Sequence, residues 1–236
     1  MNTLESFAAT LSQTKLPSVF NPYVDCCLVH DGPDAARVRK NNLVRYLEAA
    51  LAARADTIWI GRDLGYRGGR RTGVPLTDEI HLGWAGVLLG GVAFERATCG
   101  PAVAERTAAV VWSVLSRIGE PVVLWNIFPL HPHKPDEPFS NRCHTRAERE
   151  ATWPLLLALV ALIRPRRIVA IGRDAGTALA GMDVPVSIVR HPSYGGQGEF
   201  IAGVHEVYGL AGDRAPEETI QLPLEPGQAA SGCVAA

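Results

Sequence analysis

Sulfur is scarce in this chain of 236 residues, which has only two methionines and five cysteines. The cysteines, Cys26, Cys27, Cys99, Cys143 and Cys233, are odd in number and form no CxxC pair. That argues against a disulfide framework and against most zinc or iron–sulfur sites. Long apolar runs are missing as well: the longest, Pro154 to Ile163, is far too short to span a bilayer. The amino terminus, MNTLESFAATLSQTKLP, lacks a basic start followed by an apolar block, so no signal peptide is expected and the chain reads as cytoplasmic. Net charge is nearly absent, at −1, so global charge alone predicts no polyanionic partner.

What is present fits one globular domain with a substantial core, at 47% hydrophobic and 20% charged residues. That domain is expected over residues 1–210. Residues 211–236 turn to Pro, Gly, Ala and acids and read as a poorly ordered tail. The tail holds Asp213, Glu217, Glu218 and Glu225 against Arg214 alone, which leaves the body slightly basic. Arginines also cluster locally, from Arg62 to Arg71 and from Arg164 to Arg173, and such clusters steer phosphates.

Four short runs look like buried parallel strands: TIWIG from Thr57, PVVLWN from Pro121, RRIVAIG from Arg166 and VSIVR from Val186. Each is rich in β-branched residues and nearly continuous, as expected when helices cover both faces of a sheet. Helical patterns lie between them. One starts near Asp34, a plausible N-cap; one stops at Gly119; one runs from Thr145 to Pro165; and a short one follows Asp174. The alternation predicts an α/β fold, a three-layer α/β/α sandwich around a central four-stranded parallel sheet. Ligands of such sheets bind outside the carboxyl ends of the strands. Those ends carry GRDLGYRGGRRTG, NIFPLHPHKPDEPFSNR, GRDAG and RHPSYGGQGEF.

Within them, Asp63 could orient a water or oppose a positive charge in a transition state, or simply pair with Arg62 or Arg67. Asn126 offers an amide able to read a nucleobase edge, or a fastening for the loop at Pro129. His191 could donate to an oxygen that becomes negative, or stand in a turn before Pro192. His131 and His133 form an H-x-H pair near Asp136, but no third convincing ligand accompanies them, so no metal is expected. The glycines of GYRGGRRTG match neither a P-loop nor a dinucleotide fingerprint, so no cofactor is expected.

Taken in order, these segments resemble the uracil-DNA glycosylase superfamily from about Ile58 to Leu210. GRDLGY…GVPL resembles its first catalytic motif, LWNIFPLHP the segment whose Asn reads uracil, and RHPSYGG…EFIAGVHEV the His-Pro-Ser motif with its final helix. RAEREATWPLLLALVALIRPRRIVAIGRDAGTAL is similar to the helix and strand of the bacterial iron–sulfur branch, although Trp153 stands where that branch has a cluster cysteine. The resemblance therefore implies an atypical bacterial branch without a cluster.

By this resemblance Asp63 steadies the sugar cation and orients water, with Arg62 beside it, and His191 hydrogen-bonds uracil O2. Asn126 pairs with uracil N3–H and O4. Gly61, Gly65, Tyr66, Leu76, Phe128 and Ser193 complete the base pocket: Gly65 stands where one branch carries a thymine-excluding Tyr, Leu76 where a stacking aromatic is usual, and Phe128 is the substitute. Arg67, Arg70 and Arg71 would hold DNA phosphates, and Tyr194 or Gln197 would fill the gap left by the flipped base. A covalent trap through a loop histidine, known in one branch, would fall to His131, His133 or His144. The implied activity is uracil removal from single- and double-stranded DNA in base-excision repair by a monomer, without metal, cofactor or membrane. Two rivals remain: a protein that binds uracil or abasic DNA without turnover, and an α/β hydrolase or transferase of free nucleotides.

Overall fold

The computed structural model describes residues 3–210; the expected tail at 211–236 lies outside the described residues. The chain begins with helix α1 (Leu4–Gln13), which the sequence reading did not anticipate. A capping box between Thr3 and Ser6 starts it, and Phe7, Ala8 and Leu11 give it a buried face. A two-residue strand β1 (Val19–Phe20) precedes helix α2 (Ala35–Ala52). Asp34 does occupy the N-cap of α2, but its carboxylate pairs with Arg37 at 2.9 Å and caps no backbone N–H.

The central sheet starts with β2 (Thr57–Asp63). One helical turn, α3 (Gly69–Thr72), and helices α4 (Leu82–Leu88) and α5 (Arg106–Ile118) lead to β3 (Val123–Phe128). The anticipated glycine stop holds, since Gly119 closes α5 at φ 67°. A second short strand, β4 (His131–Pro132), pairs antiparallel with β1. Helix α6 (Arg146–Ile163) opens with a Thr145–Glu148 capping box and carries Pro154 in its interior. Strand β5 (Arg167–Ile171), helix α7 (Arg173–Ala178), strand β6 (Val186–Val189) and helix α8 (Gln197–Tyr208) complete the order.

The four anticipated strands form one parallel sheet in the order β3-β2-β5-β6. Helices cover both faces, as two tryptophans make plain. In register, Trp59 lies beside Leu124, so Trp125 points to the opposite face. Trp59 meets Phe200 of α8 edge-on at 6.1 Å and donates to Tyr208 Oη at 3.0 Å, whereas Trp125 packs on Phe7 of α1 at 5.6 Å. Burying side chains of this size contributes roughly 2–3 kcal/mol each. Between them lies one contiguous core that takes in all four strands.

From β2 the chain steps to β3 on one flank and later to β5 on the other, so the strand order reverses beside β2. A crevice outside the carboxyl end of β2 is therefore the place where this topology leaves room for a ligand. Among the described residues no helix is long and apolar enough to cross a membrane.

Candidate active site

Strand β2 delivers Gly61, Arg62 and Asp63 to this crevice, Asp63 being the last residue of the strand rather than the first of the loop. Its carboxylate is held on both sides. Oδ2 accepts from Arg62 Nε at 2.6 Å; Oδ1 accepts from the His144 backbone N–H at 3.1 Å and lies 2.5 Å from His144 Nδ1. The Asp63 side chain is 10% exposed and that of His144 8%. His144 precedes the N-cap of α6, and its ring tilts over Phe128 at 5.6 Å. Arg62 also reaches Asp174, in the first turn of α7, at 2.5 Å. Burial works against the Arg62 charge, yet the hydrogen bonds to Asp63 and Asp174 hold its pKa above the ordinary value.

Asn126 stands opposite Gly61 in the β2–β3 register, within β3 and not at its end, because the strand runs on to Phe128. Its Nδ2 donates to the Asp63 carbonyl at 3.0 Å, and its Oδ1 is buried without a partner. An unpaired buried acceptor costs about 1–3 kcal/mol, so this one is a standing invitation to a donor. Gly61 makes the arrangement possible. A Cβ there would lie 2.9 Å from Asn126 Nδ2 and 3.1 Å from Leu76 Cδ2. Leu76, at φ 53°, thus lies against the same strand end.

His191 comes two residues after β6 and is half-buried. Its Nδ1 accepts from the Ser193 N–H at 3.2 Å and lies 2.5 Å from Ser193 Oγ. That places the ring hydrogen on Nε2 and makes Ser193 a positioner of the imidazole. Burial, with repulsion from Arg62 and Arg190, holds the ring below the ordinary imidazole range, Asp174 acting the other way. Gly172, at φ 94°, admits His191 closely, since a Cβ there would lie 3.2 Å from His191 Cβ. The Arg62–Asp174 pair links the end of β2 to the first turn of α7, directly after β5.

The arginine loop departs from expectation. Arg70 and Arg71 were expected on DNA phosphates, but they are 5% and 6% exposed. Arg71 donates to Glu79 at 2.9 Å and to Thr98 Oγ1 at 3.1 Å. Arg70 stacks on Phe20 at 4.0 Å and donates to the Pro138 carbonyl. Both are tied into the protein, because a buried guanidinium without partners would be too costly to keep. Of the three, only Arg67 is exposed, lying over Tyr66 at 5.7 Å. Tyr66 itself turns toward His131 and Phe139.

Gly65 has no room for a side chain, because the Glu105 carboxylate fills the space against Gly65 and Gly68. Phe128 is fully buried, with the His144 ring against it. Tyr194 is 97% exposed and Gln197 opens α8 on the surface.

His131 lies beside Arg70 and within hydrogen-bond reach of the Ser140 carbonyl and Asn141 Oδ1; burial pushes its pKa down to about 3. Among the described residues no group of three or more His, Cys, Asp or Glu could hold a metal. Two side chains, Asp174 and Glu105, were missed as site members, and His144 was named only for a covalent trap, not as the partner of Asp63. For His144 a signal existed, since the T-R-A-E capping box directly after it marks a helix start facing the sheet end.

In short, Gly61, Arg62, Asp63, Leu76 and Asn126 come together, and His191 is near enough for its ring to feel the charge of Arg62. The arrangement pairs a fixed carboxylate, a neutral imidazole donor and a half-satisfied amide at one strand-end crevice. In comparison with known proteins, the chain matches no family model and no curated sequence.

Proposed function

We propose that the chain is a uracil-DNA glycosylase, acting as a monomer in the cytoplasm. It hydrolyses the bond between uracil N1 and deoxyribose C1′ of a nucleotide swung out of DNA, leaving an abasic site. The observation that carries this reading is Asn126, whose buried Oδ1 lacks a donor and whose Nδ2 uses one hydrogen on Asp63. Uracil supplies N3–H to that oxygen and accepts the second Nδ2 hydrogen at O4. Cytosine has an acceptor at N3 and a donor at C4, so the same amide leaves both pairs unmade.

The remaining groups suit the charges of this reaction. As the glycosidic bond breaks, the sugar acquires oxocarbenium character and the base becomes anionic. The Asp63 carboxylate, held in place by Arg62 and His144, opposes the sugar cation. His191, neutral and with its hydrogen on Nε2, donates to uracil O2 without losing charge complementarity. Leu76 packs the base, and exposed Arg67, Tyr194 and Gln197 are the side chains left to meet DNA while the base is flipped.

Asn126→Ala tests the assignment. Release of uracil from a single-stranded oligonucleotide should fall by about two to three orders of magnitude, the usual loss for such a donor–acceptor group, and free uracil should stop inhibiting. Release at the wild-type rate from Asn126→Ala refutes the reading of the amide.

A further inference from the structure

The Asp63–His144 pair asks for more than a positioning role. Both Asp63 oxygens are already occupied, Oδ2 by Arg62 and Oδ1 by two donors of His144. A carboxylate carrying three donors has few lone pairs left to take a proton from water. The imidazole is differently placed. A carboxylate oxygen accepts and does not donate, so the close 2.5 Å approach of Nδ1 assigns the ring hydrogen to Nδ1. That leaves Nε2 as a free lone pair, and no described residue partners it. His191 has the opposite tautomer, with its hydrogen on Nε2. One crevice thus carries one imidazole set to donate and another set to accept.

The His144 ring is also held still. It lies against the fully buried Phe128, and its backbone follows a segment pinned by Arg142. Arg142 donates to the His133 carbonyl at 2.8 Å, the Cys143 carbonyl at 3.0 Å and both Glu148 oxygens, at 2.8 and 2.6 Å. Thr145, next in the chain, caps α6 through Glu148. Support of this kind is what a general base needs if its lone pair is to meet one reacting atom.

We infer that His144 is the general base of the reaction, its ring oriented by Asp63 and its Nε2 taking a proton from the attacking water. The inference rests on the glycosylase reading. The step balances: water oxygen bonds to C1′, its proton passes to His144 Nε2, and the C1′–N1 pair leaves with uracil. His191 stabilises the departing anion, and the imidazolium of His144 returns its proton to uracil or solvent. No oxidant, metal or further co-reactant enters.

The test is single-turnover uracil release from an end-labelled single-stranded oligonucleotide, using wild type, His144→Gln and His144→Ala. DNA affinity and thermal melting are measured beside it as checks on folding. His144→Gln keeps a hydrogen bond to Asp63 and should still bind DNA, yet lose about 10²–10⁴-fold in rate. Added imidazole should restore part of the rate to His144→Ala in proportion to its neutral form, which a merely structural histidine does not explain.

Release by His144→Gln at the wild-type rate overturns the inference alone. So does a folded, DNA-binding His144→Ala that imidazole does not rescue. A denaturation-stable protein–DNA adduct in the wild type, lost in His144→Gln, overturns it by making His144 a nucleophile. No release by the wild type removes the glycosylase reading and this inference with it.

Discussion

Replacing Glu105 with Gln should remove a pH dependence from folding that the wild type carries. The Glu105 carboxylate is wedged against Gly65 and Gly68, beneath the loop that follows Asp63. Burial and then the charge of Asp78 push its pKa up to about 7, with Arg67 pulling weakly the other way. Asp78 is fully buried, lies 2.6 Å from the His81 ring and accepts the Glu105 backbone N–H at 2.6 Å.

A folded pKa above the unfolded value means that the neutral acid stabilises the fold. That stability is fully present below the unfolded value of 4.5 and is lost as pH rises through about 7. A shift of this size corresponds to about 3–4 kcal/mol at roughly 1.4 kcal/mol per pH unit, or roughly 6–16 °C in Tm for a domain of this length. Thermal melts from pH 5 to pH 8.5 read it directly. Wild type should lose stability across this window, and Glu105→Gln should lose less by that amount. Parallel melting curves for the two proteins refute the burial argument.

Three further outcomes are expected. Gly61→Ala places a methyl 2.9 Å from Asn126 Nδ2, so uracil release should drop sharply while the far-ultraviolet circular dichroism spectrum stays that of the wild type. Arg71→Ala removes the nearer cation from the buried Glu79 carboxylate, leaving it Arg96 at 3.7 Å and donors from Thr98 and Val103, and should cost about 1–3 kcal/mol in denaturant unfolding. Arg67→Ala, by contrast, should leave stability unchanged and lower the salt-dependence slope of DNA binding by about one, as removal of a single phosphate contact does.

The strands were legible because each is a short continuous run of Ile, Val, Leu and Trp, which a sheet covered on both faces demands. The placement of Asp63, Asn126 and His191 on the carboxyl-terminal side of β2, β3 and β6 followed from that sheet and from the rule for where ligands bind. Burial of the arginines was not legible. A cluster of four in eleven residues reads as a charged surface, and only the fold brings Phe20, Glu79, Thr98 and Pro138 around Arg70 and Arg71.

Contacts between remote segments were hidden for the same reason. His144 meets Asp63 across 81 residues of chain, and Arg62 meets Asp174 across 112. Helix α1 carried its signal openly, in Phe7, Ala8 and Leu11, but the Ser- and Thr-rich surroundings masked it. The strand pair β1–β4 has only two residues on each side, too few to show any periodicity.

The most direct measurement is uracil release under excess labelled single-stranded substrate, with wild type beside Asp63→Asn and His191→Ala. The account predicts many turnovers for the wild type and a loss of about two to three orders of magnitude in each variant. Tight uracil-dependent binding without release by the wild type would contradict it and make the chain a binder of damaged DNA.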